Sequence, residues 1–319
     1  MSFVKDIGHD EIRSGFLVTT DRKKIWEKCL EIFSVFDDIC KKYGLKYFAY
    51  SGSMLGAARH HGFIPWDDDI DIAMLRPDYA RFQEIAKTEI REPYFYQTIY
   101  SDTYIFALSK LRDSRTTAVQ FPEYRDGMNQ GMFIDIYPFD IVSDELEDER
   151  ISREIRKELL IMALDPEQIK SHAALGLPLQ LPRETIVELS SMSQKERFKF
   201  FDDFSLDSFN ELTRSGKERR AEFFLNDIQG HRPAPTVAQL NDLIEVPFEN
   251  LKMPIPREYD EVLAHVFGDW HEELRAPTLH DGLIISPDIP YSEYFEKIKD
   301  IPTGIAEETT EAGESPNDE

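Results

Sequence analysis

The sequence is poor in cysteine, in basic charge and in long apolar runs. Cys29 and Cys40 are the only cysteines among 319 residues, so no disulfide framework can hold the fold. No stretch of about 18 apolar residues occurs, so no membrane-spanning helix is expected. The opening MSFVKDIGHDEIRSG has no apolar core of the signal-peptide kind, and the expected location is cytoplasmic. Lys and Arg number 37 against 61 Asp and Glu, a net charge of −24. That balance argues against nucleic acid as a partner and against broad docking on an anionic membrane. It leaves room for an anionic small molecule held through a bound cation, which reverses the local field.

What is present reads as a globular chain with a sizeable core, 41% hydrophobic and 31% charged. Ile25, Cys29, Ile32, Phe33, Phe36, Ile39, Cys40 and Tyr43 recur at helical spacing, predicting a helix from Asp21, its cap, to Tyr43, with Gly44 as its stop. Both cysteines fall on that apolar stripe and read as core. Leu45 to Tyr50 reads as a strand, Ser51 to Ser53 as a turn and Met54 to His60 as a short helix. Asp69 to Met74 and Met132 to Ile136 alternate with the strand period, the latter ended by Pro138; short strands fill 94–120. A helix begins near Pro77, and another runs from Pro256 to Phe267, stopped by Gly268.

These patterns predict an α/β or α+β architecture: a small mixed sheet, flanking helices and an added helical region. The expected divisions are 1–143 for the core, 144–235 for a helical insertion or subdomain, and 236–303 for a return to compact structure. Residues 304–319 are expected to be a disordered acidic tail; the last thirteen residues hold six acids and no base.

The informative stretch is YSGSMLGAARHHGFIPWDDDIDIAM, residues 50–74. On a strand, alternate residues share a face about 6.6 Å apart, so Asp69 and Asp71 point one way while Ile70 and Ile72 enter the core. Two carboxylates on one face repel unless a cation lies between them. Hard oxygens suit Mg²⁺ or Mn²⁺, which also carry phosphate oxygens. The bland alternative is a solvated acidic loop. An EF-hand is excluded, because Ile72 stands at the loop's glycine position and Asp78 at its glutamate position. Upstream, Gly52-Ser53 opens a helix after a strand, where free N–H groups suit phosphate. Asp135, flanked by apolar residues, is the best candidate for a third acid, as ligand or general base; it could equally cap backbone N–H groups. Asp140 is a weaker candidate. Arg59, Lys110, Arg112 and Arg115 are candidates to neutralise a diphosphate. His60 and His61 read as bystanders ahead of acid–base groups or ligands, and Trp66 as packing at the site's edge or in the core.

With these residues in place, the segments Gly52-Ser53-Met54-Leu55-Gly56-Ala57-Ala58-Arg59-His60 and Gly62 to Ile72 closely resemble the signature of LicD proteins. That family includes bacterial phosphorylcholine transferases and, more distantly, fukutin-type phosphoribitol transferases. The resemblance continues through Lys110-Leu111-Arg112-Asp113, Ile134 to Asp140, Phe248-Glu249-Asn250 and Phe267-Gly268-Asp269-Trp270, with Phe267 standing where Tyr is expected.

The resemblance implies a nucleotidyltransferase-like fold. Gly52 and Ser53, with Arg59, Lys110 and Arg112, would hold donor phosphates. Asp69 and Asp71 would bind Mg²⁺ (or Mn²⁺), and Asp135 would complete the catalytic acids. The implied reaction moves a phospho-alcohol (phosphorylcholine, ribitol phosphate or glycerol phosphate) from a CDP-activated donor to a sugar hydroxyl of a cell-surface glycan or its precursor. The implied partners are that donor and a glycan acceptor, with peripheral recruitment at the inner membrane face. A sugar-nucleotide glycosyltransferase, a nucleotidyltransferase and a non-enzymatic acidic cation-binding protein remain as alternatives.

Overall fold

The structure is a computed structural model. It describes residues 2–104, 106–120, 127–142, 147–214, 216–225, 233–275 and 283–298. The expected acidic tail, 304–319, lies outside the described residues.

An N-terminal hairpin, β1 (Glu11–Arg13) and β2 (Phe16–Val18), precedes the long helix α1 (Thr20–Tyr43). Thr19, rather than Asp21, caps α1 by accepting from the Arg22 N–H, and Gly44 ends it with φ 61°. The strand expected over 45–50 is short: β3 covers Phe48–Ala49. The helix α2 (Ser51–His60) takes in the expected Ser-Gly-Ser turn. Then come β4 (Asp71–Leu75), α3 (Arg76–Glu89), β5 (Tyr94–Gln97), β6 (Ser109–Asp113), β7 (Thr117–Val119) and β8 (Met132–Ile141). Four helices follow: α4 (Glu147–Leu164), α5 (Pro166–Ala174), α6 (Arg183–Ser190) and α7 (Gln194–Arg214). The chain continues through β9 (Ala221–Glu222), α8 (Val237–Asn241), the hairpin β10 (Leu243–Phe248) and β11 (Leu251–Pro256), α9 (Tyr259–Phe267), β12 (Ile284–Ser286) and α10 (Tyr291–Ile298). Pro256 therefore ends a strand rather than opening a helix. The Gly268 stop stands.

The central sheet has the order β3-β4-β8-β6-β5, with β9 added beside β8. Among the described residues of this sheet, β4 and β8 pair in parallel and the other pairs are antiparallel. Pro138 does not end β8, as the sequence suggested. The Asp135 N–H bonds Ile70, on the β4 side, so the position of Pro138 faces the opposite edge. On that edge β6 stops at Ile136 and β9 joins at Asp140, so the missing N–H of proline costs no ladder bond.

The sheet separates two cores. Ile72, Met74, Ile134 and Ile136 enter the first, with Trp26, Cys29, Phe33, Phe36 and Cys40 of α1, Phe82 of α3 and Met253 and Ile255 of β11. Both cysteines are free and buried, as their place on the apolar stripe predicts. Phe48, Tyr50, Ala73, Leu75, Phe139 and Ile141 enter the second, against Leu159, Met162, Phe198, Phe201 and Phe209 of the helical stretch. Each large apolar side chain so buried contributes about 1.5–3 kcal/mol. The helical stretch is thus packed directly on one sheet face, and Asp71 and Asp135 alternate onto that same face.

Candidate functional site

The site is built where α2 begins and β4 and β8 start side by side. Asp71 and Asp135 are register partners on the parallel pair, and Lys110 of β6 is the antiparallel partner of Asp135. One carboxylate oxygen from each of Asp69, Asp71 and Asp135 fits within a mutual 4.8 Å; Asp67, Asp68 and Asp69 form an overlapping group. Three hard oxygen donors at that spacing fit a divalent cation of the Mg²⁺ or Mn²⁺ kind.

The backbone fixes this cluster to α2. The Tyr50 N–H bonds the Asp71 carbonyl at 2.9 Å, and the Asp71 N–H donates to Ser53 Oγ at 2.9 Å. Tyr50, at the N-cap, makes no side-chain capping bond to the start of α2. A Cβ on Gly52 would stand 2.7 Å from the Asp67 Oδ2, so the glycine is what lets that carboxylate lie over the helix start. The acidic loop is held from behind by α1. Arg22 and Trp26 donate to the Asp67 carbonyl at 2.9 and 2.8 Å, and Cys29 Sγ to the Asp68 carbonyl at 3.5 Å.

The electrostatics reflect crowding of like charge. Burial, then Asp69, pushes the Asp67 carboxyl up to about 8. Burial, then Asp135, raises Asp71 well above the ordinary carboxylate range. Lys110 Nζ lies 2.5 Å from Asp135 Oδ1 and 3.6 Å from the Phe133 ring centroid, and burial lowers its pKa. Arg112 shares the Phe133 ring, its Cζ at 4.7 Å. Its Nε donates to Gln97 at 2.6 Å and one terminal nitrogen to the Gly131 carbonyl at 2.6 Å.

The structure thus brings together Gly52, Ser53, Asp69, Asp71, Asp135 and Lys110, with Arg112 one pair further along β6. It does not bring Arg59 there. Arg59 sits at the far end of α2, bonded to the Trp270 carbonyl at 3.0 Å. Arg115 is half exposed and bound to Asp113 at 2.7 Å. Asp140 belongs to a buried ion pair with Arg76 at 2.6 Å. His60 leans on Arg59, and Trp66 packs edge-on against Phe16.

Two residues escaped sequence reasoning. Tyr137, two positions after Asp135, shares its face and packs against Tyr50 and Phe223; the strand period could have found it. Tyr104, in the loop between β5 and β6, is buried; burial, then Asp135, raises its hydroxyl pKa, and no local pattern marks it.

A small mixed sheet carries a carboxylate cluster beside a helix start, as the resemblance to a nucleotidyltransferase-like fold implies. Residues 44–169 match the LicD/FKTN/FKRP nucleotidyltransferase domain. The match extends past β8, through α4 and into α5. The chain is 37% identical over 119 residues to the lipopolysaccharide cholinephosphotransferase LicD of Haemophilus influenzae, covering 37% of this chain and 43% of that protein. It is 29% identical over 96 residues to the mouse ribitol 5-phosphate transferase FKRP, covering 30% of this chain and 17% of that protein. The chain spans less than half the length of the curated relatives it matches. No helix among the described residues is long and apolar enough to cross a membrane.

Proposed function

We propose that this protein is a metal-dependent phosphotransferase that moves a phospho-alcohol from a CDP-activated donor to a sugar hydroxyl of a cell-surface glycan or its precursor. The observation that carries the reading is the juxtaposition of Asp69, Asp71 and Asp135 at the start of α2. Phosphorylcholine is the first cargo to test and ribitol phosphate the second, after the two transferases to which the chain is similar.

In this reading Asp69 and Asp71 hold Mg²⁺ or Mn²⁺. The bound cation supplies charge neutralisation at the donor diphosphate. Gly52 and Ser53 present the helix start to a phosphate, and Lys110 and Arg112 add positive charge beside it. The acceptor oxygen forms a bond to the phosphorus that carries the alcohol, and the bond from that phosphorus to CMP breaks. Asp135 takes the acceptor proton. In this reading the helical stretch, packed on the same sheet face, meets the acceptor. The work would be done at the cytoplasmic face of the membrane, through peripheral recruitment.

The test is product analysis with CDP-choline, CDP-ribitol and CDP-glycerol in Mg²⁺. Release of CMP with transfer of the alcohol phosphate supports the reading. Release of a nucleoside diphosphate from UDP-glucose would instead make the protein a glycosyltransferase, and pyrophosphate release from CTP a nucleotidyltransferase.

A further inference from the structure

Lys110 is buried, and β6 sets it in register with Asp135. Its ammonium lies 2.5 Å from Asp135 Oδ1 and 3.6 Å from the centroid of the Phe133 ring. Among the described residues, its ion-pair partner is Asp135. Asp135 also stands in register with Asp71, and one oxygen from each of Asp69, Asp71 and Asp135 fits within 4.8 Å of the others. One carboxylate thus faces both a fixed ammonium and the place a divalent cation would take. Three acids gathered in a partly buried place repel one another, and a positive charge in contact with one of them offsets part of that repulsion. The same charge, a few ångströms from a divalent cation, repels it. Burial lowers the lysine's pKa, and Asp135 opposes that shift most strongly.

We infer that Lys110 is a resident counter-ion of the cluster: its ammonium steadies Asp69, Asp71 and Asp135 in the metal-free protein, and weakens their hold on a divalent cation once it binds. This rests on these acids being the cation's ligands, as proposed above, and deepens that reading. It does not depend on which phospho-alcohol is carried. The lysine gains a task toward the acids beyond the charge it offers a phosphate. The inference also fixes a sign. A lysine that only held Asp135 in place would, when removed, loosen cation binding. A counter-ion, when removed, tightens it. Met at position 110 keeps an apolar stem beside the Phe133 ring while taking the charge away.

The experiment measures Mn²⁺ binding by calorimetry, and thermal unfolding in chelator, for wild type, Lys110→Met, Asp71→Asn and the double variant Lys110→Met with Asp135→Asn. In Lys110→Met the Mn²⁺ Kd should fall about tenfold or more, the scale of a unit charge acting on a divalent ion across a few ångströms of protein. Its midpoint in chelator should fall, and Mn²⁺ should raise that midpoint further than it raises wild type's. The double variant should regain the lost midpoint, because Asn carries no charge to offset. An unchanged or raised Kd in folded Lys110→Met overturns the inference; if Asp71→Asn abolishes binding in the same series, the cation site itself stands. If wild type binds no Mn²⁺, the cation site and the inference fall together. Should Lys110→Met fold only with Mn²⁺ present, the counter-ion is supported. Should neither Mn²⁺ nor Asp135→Asn restore its fold, the lysine is structural and the inference is overturned.

Discussion

Asp71 and Asp135 face each other in register across the parallel strand pair of the central sheet. Directly opposed like charges on adjacent strands are destabilising, and here burial adds to the repulsion. The fold spends stability at this point, as a cation site does when its ligands are gathered before the cation arrives. Asp71→Asn should therefore raise the unfolding midpoint of the metal-free protein. The same change should lower Mg²⁺ or Mn²⁺ affinity and turnover by more than the roughly 10–100-fold that losing a supporting partner costs a metal site. Calorimetry and thermal scans on one preparation check both signs.

The pH dependence of the metal-free protein should run opposite to that of a protein held by salt-bridged carboxylates. Asp67 is pushed up to about 8 and Asp71 is raised, whereas unfolded they titrate near their ordinary values. Between about pH 4 and pH 8 the native state holds protons that the unfolded chain has released. Stability contributed by these two groups is then lost as pH rises through that window. In chelator, the unfolding midpoint should fall from about pH 5 to pH 8, and Mg²⁺ should restore more of it at the higher pH. Asp67→Asn should flatten part of the slope.

The alternation beside Ile70 and Ile72 marked the acids, but the strand expected from Asp69 begins only at Asp71, so Asp71 opens β4 and Asp69 lies just before it. Asp135 was legible as a strand acid, but its register against Asp71 depends on a pairing between segments some sixty residues apart, which no local pattern encodes. Arg59 was misplaced for a geometric reason. It lies in the same motif block as Gly52, but eight helical residues carry it about 12 Å from the start of α2. The helical stretch was visible from its periodicity; that it covers the site's own sheet face was not, since an amphipathic helix does not name the surface it covers. Tyr104 carries no signal because its place depends on how one loop folds over β6.

Gly52 should tolerate no side chain if the site is to keep its shape. The Cβ of Gly52→Ala would meet the Asp67 carboxylate at 2.7 Å, and that carboxylate is the end of a movable side chain. The fold should survive, with a change in unfolding midpoint of no more than a few degrees, while Asp67 is displaced from the helix start. Metal and donor affinity should both fall, whereas Gly44→Ala, with open space around its Cβ, should cost stability through its φ of 61° and leave affinity unchanged. Titration of both variants with Mg²⁺ and CDP-choline separates the two effects.

Asp140 lies in the same strand as Asp135 but does different work. Arg76 holds both of its oxygens, at 2.9 and 2.6 Å, and Arg156 stands 3.8 Å away. Arg76 also reaches Asp202 of α7 at 3.5 Å, so this buried cluster ties the sheet to the helices packed on it. Removing one member leaves an uncompensated buried charge, and Arg76→Met should destabilise the protein by about 3–5 kcal/mol in urea unfolding. The double variant Arg76→Met with Asp140→Leu should recover none of that loss, because the second change strands the buried Arg156 guanidinium in turn. Where the double variant folds, its Mg²⁺ affinity should match wild type, since the carboxylates that gather at α2 are untouched. A weakened metal site in that folded variant would place Asp140 among the groups that shape the cluster.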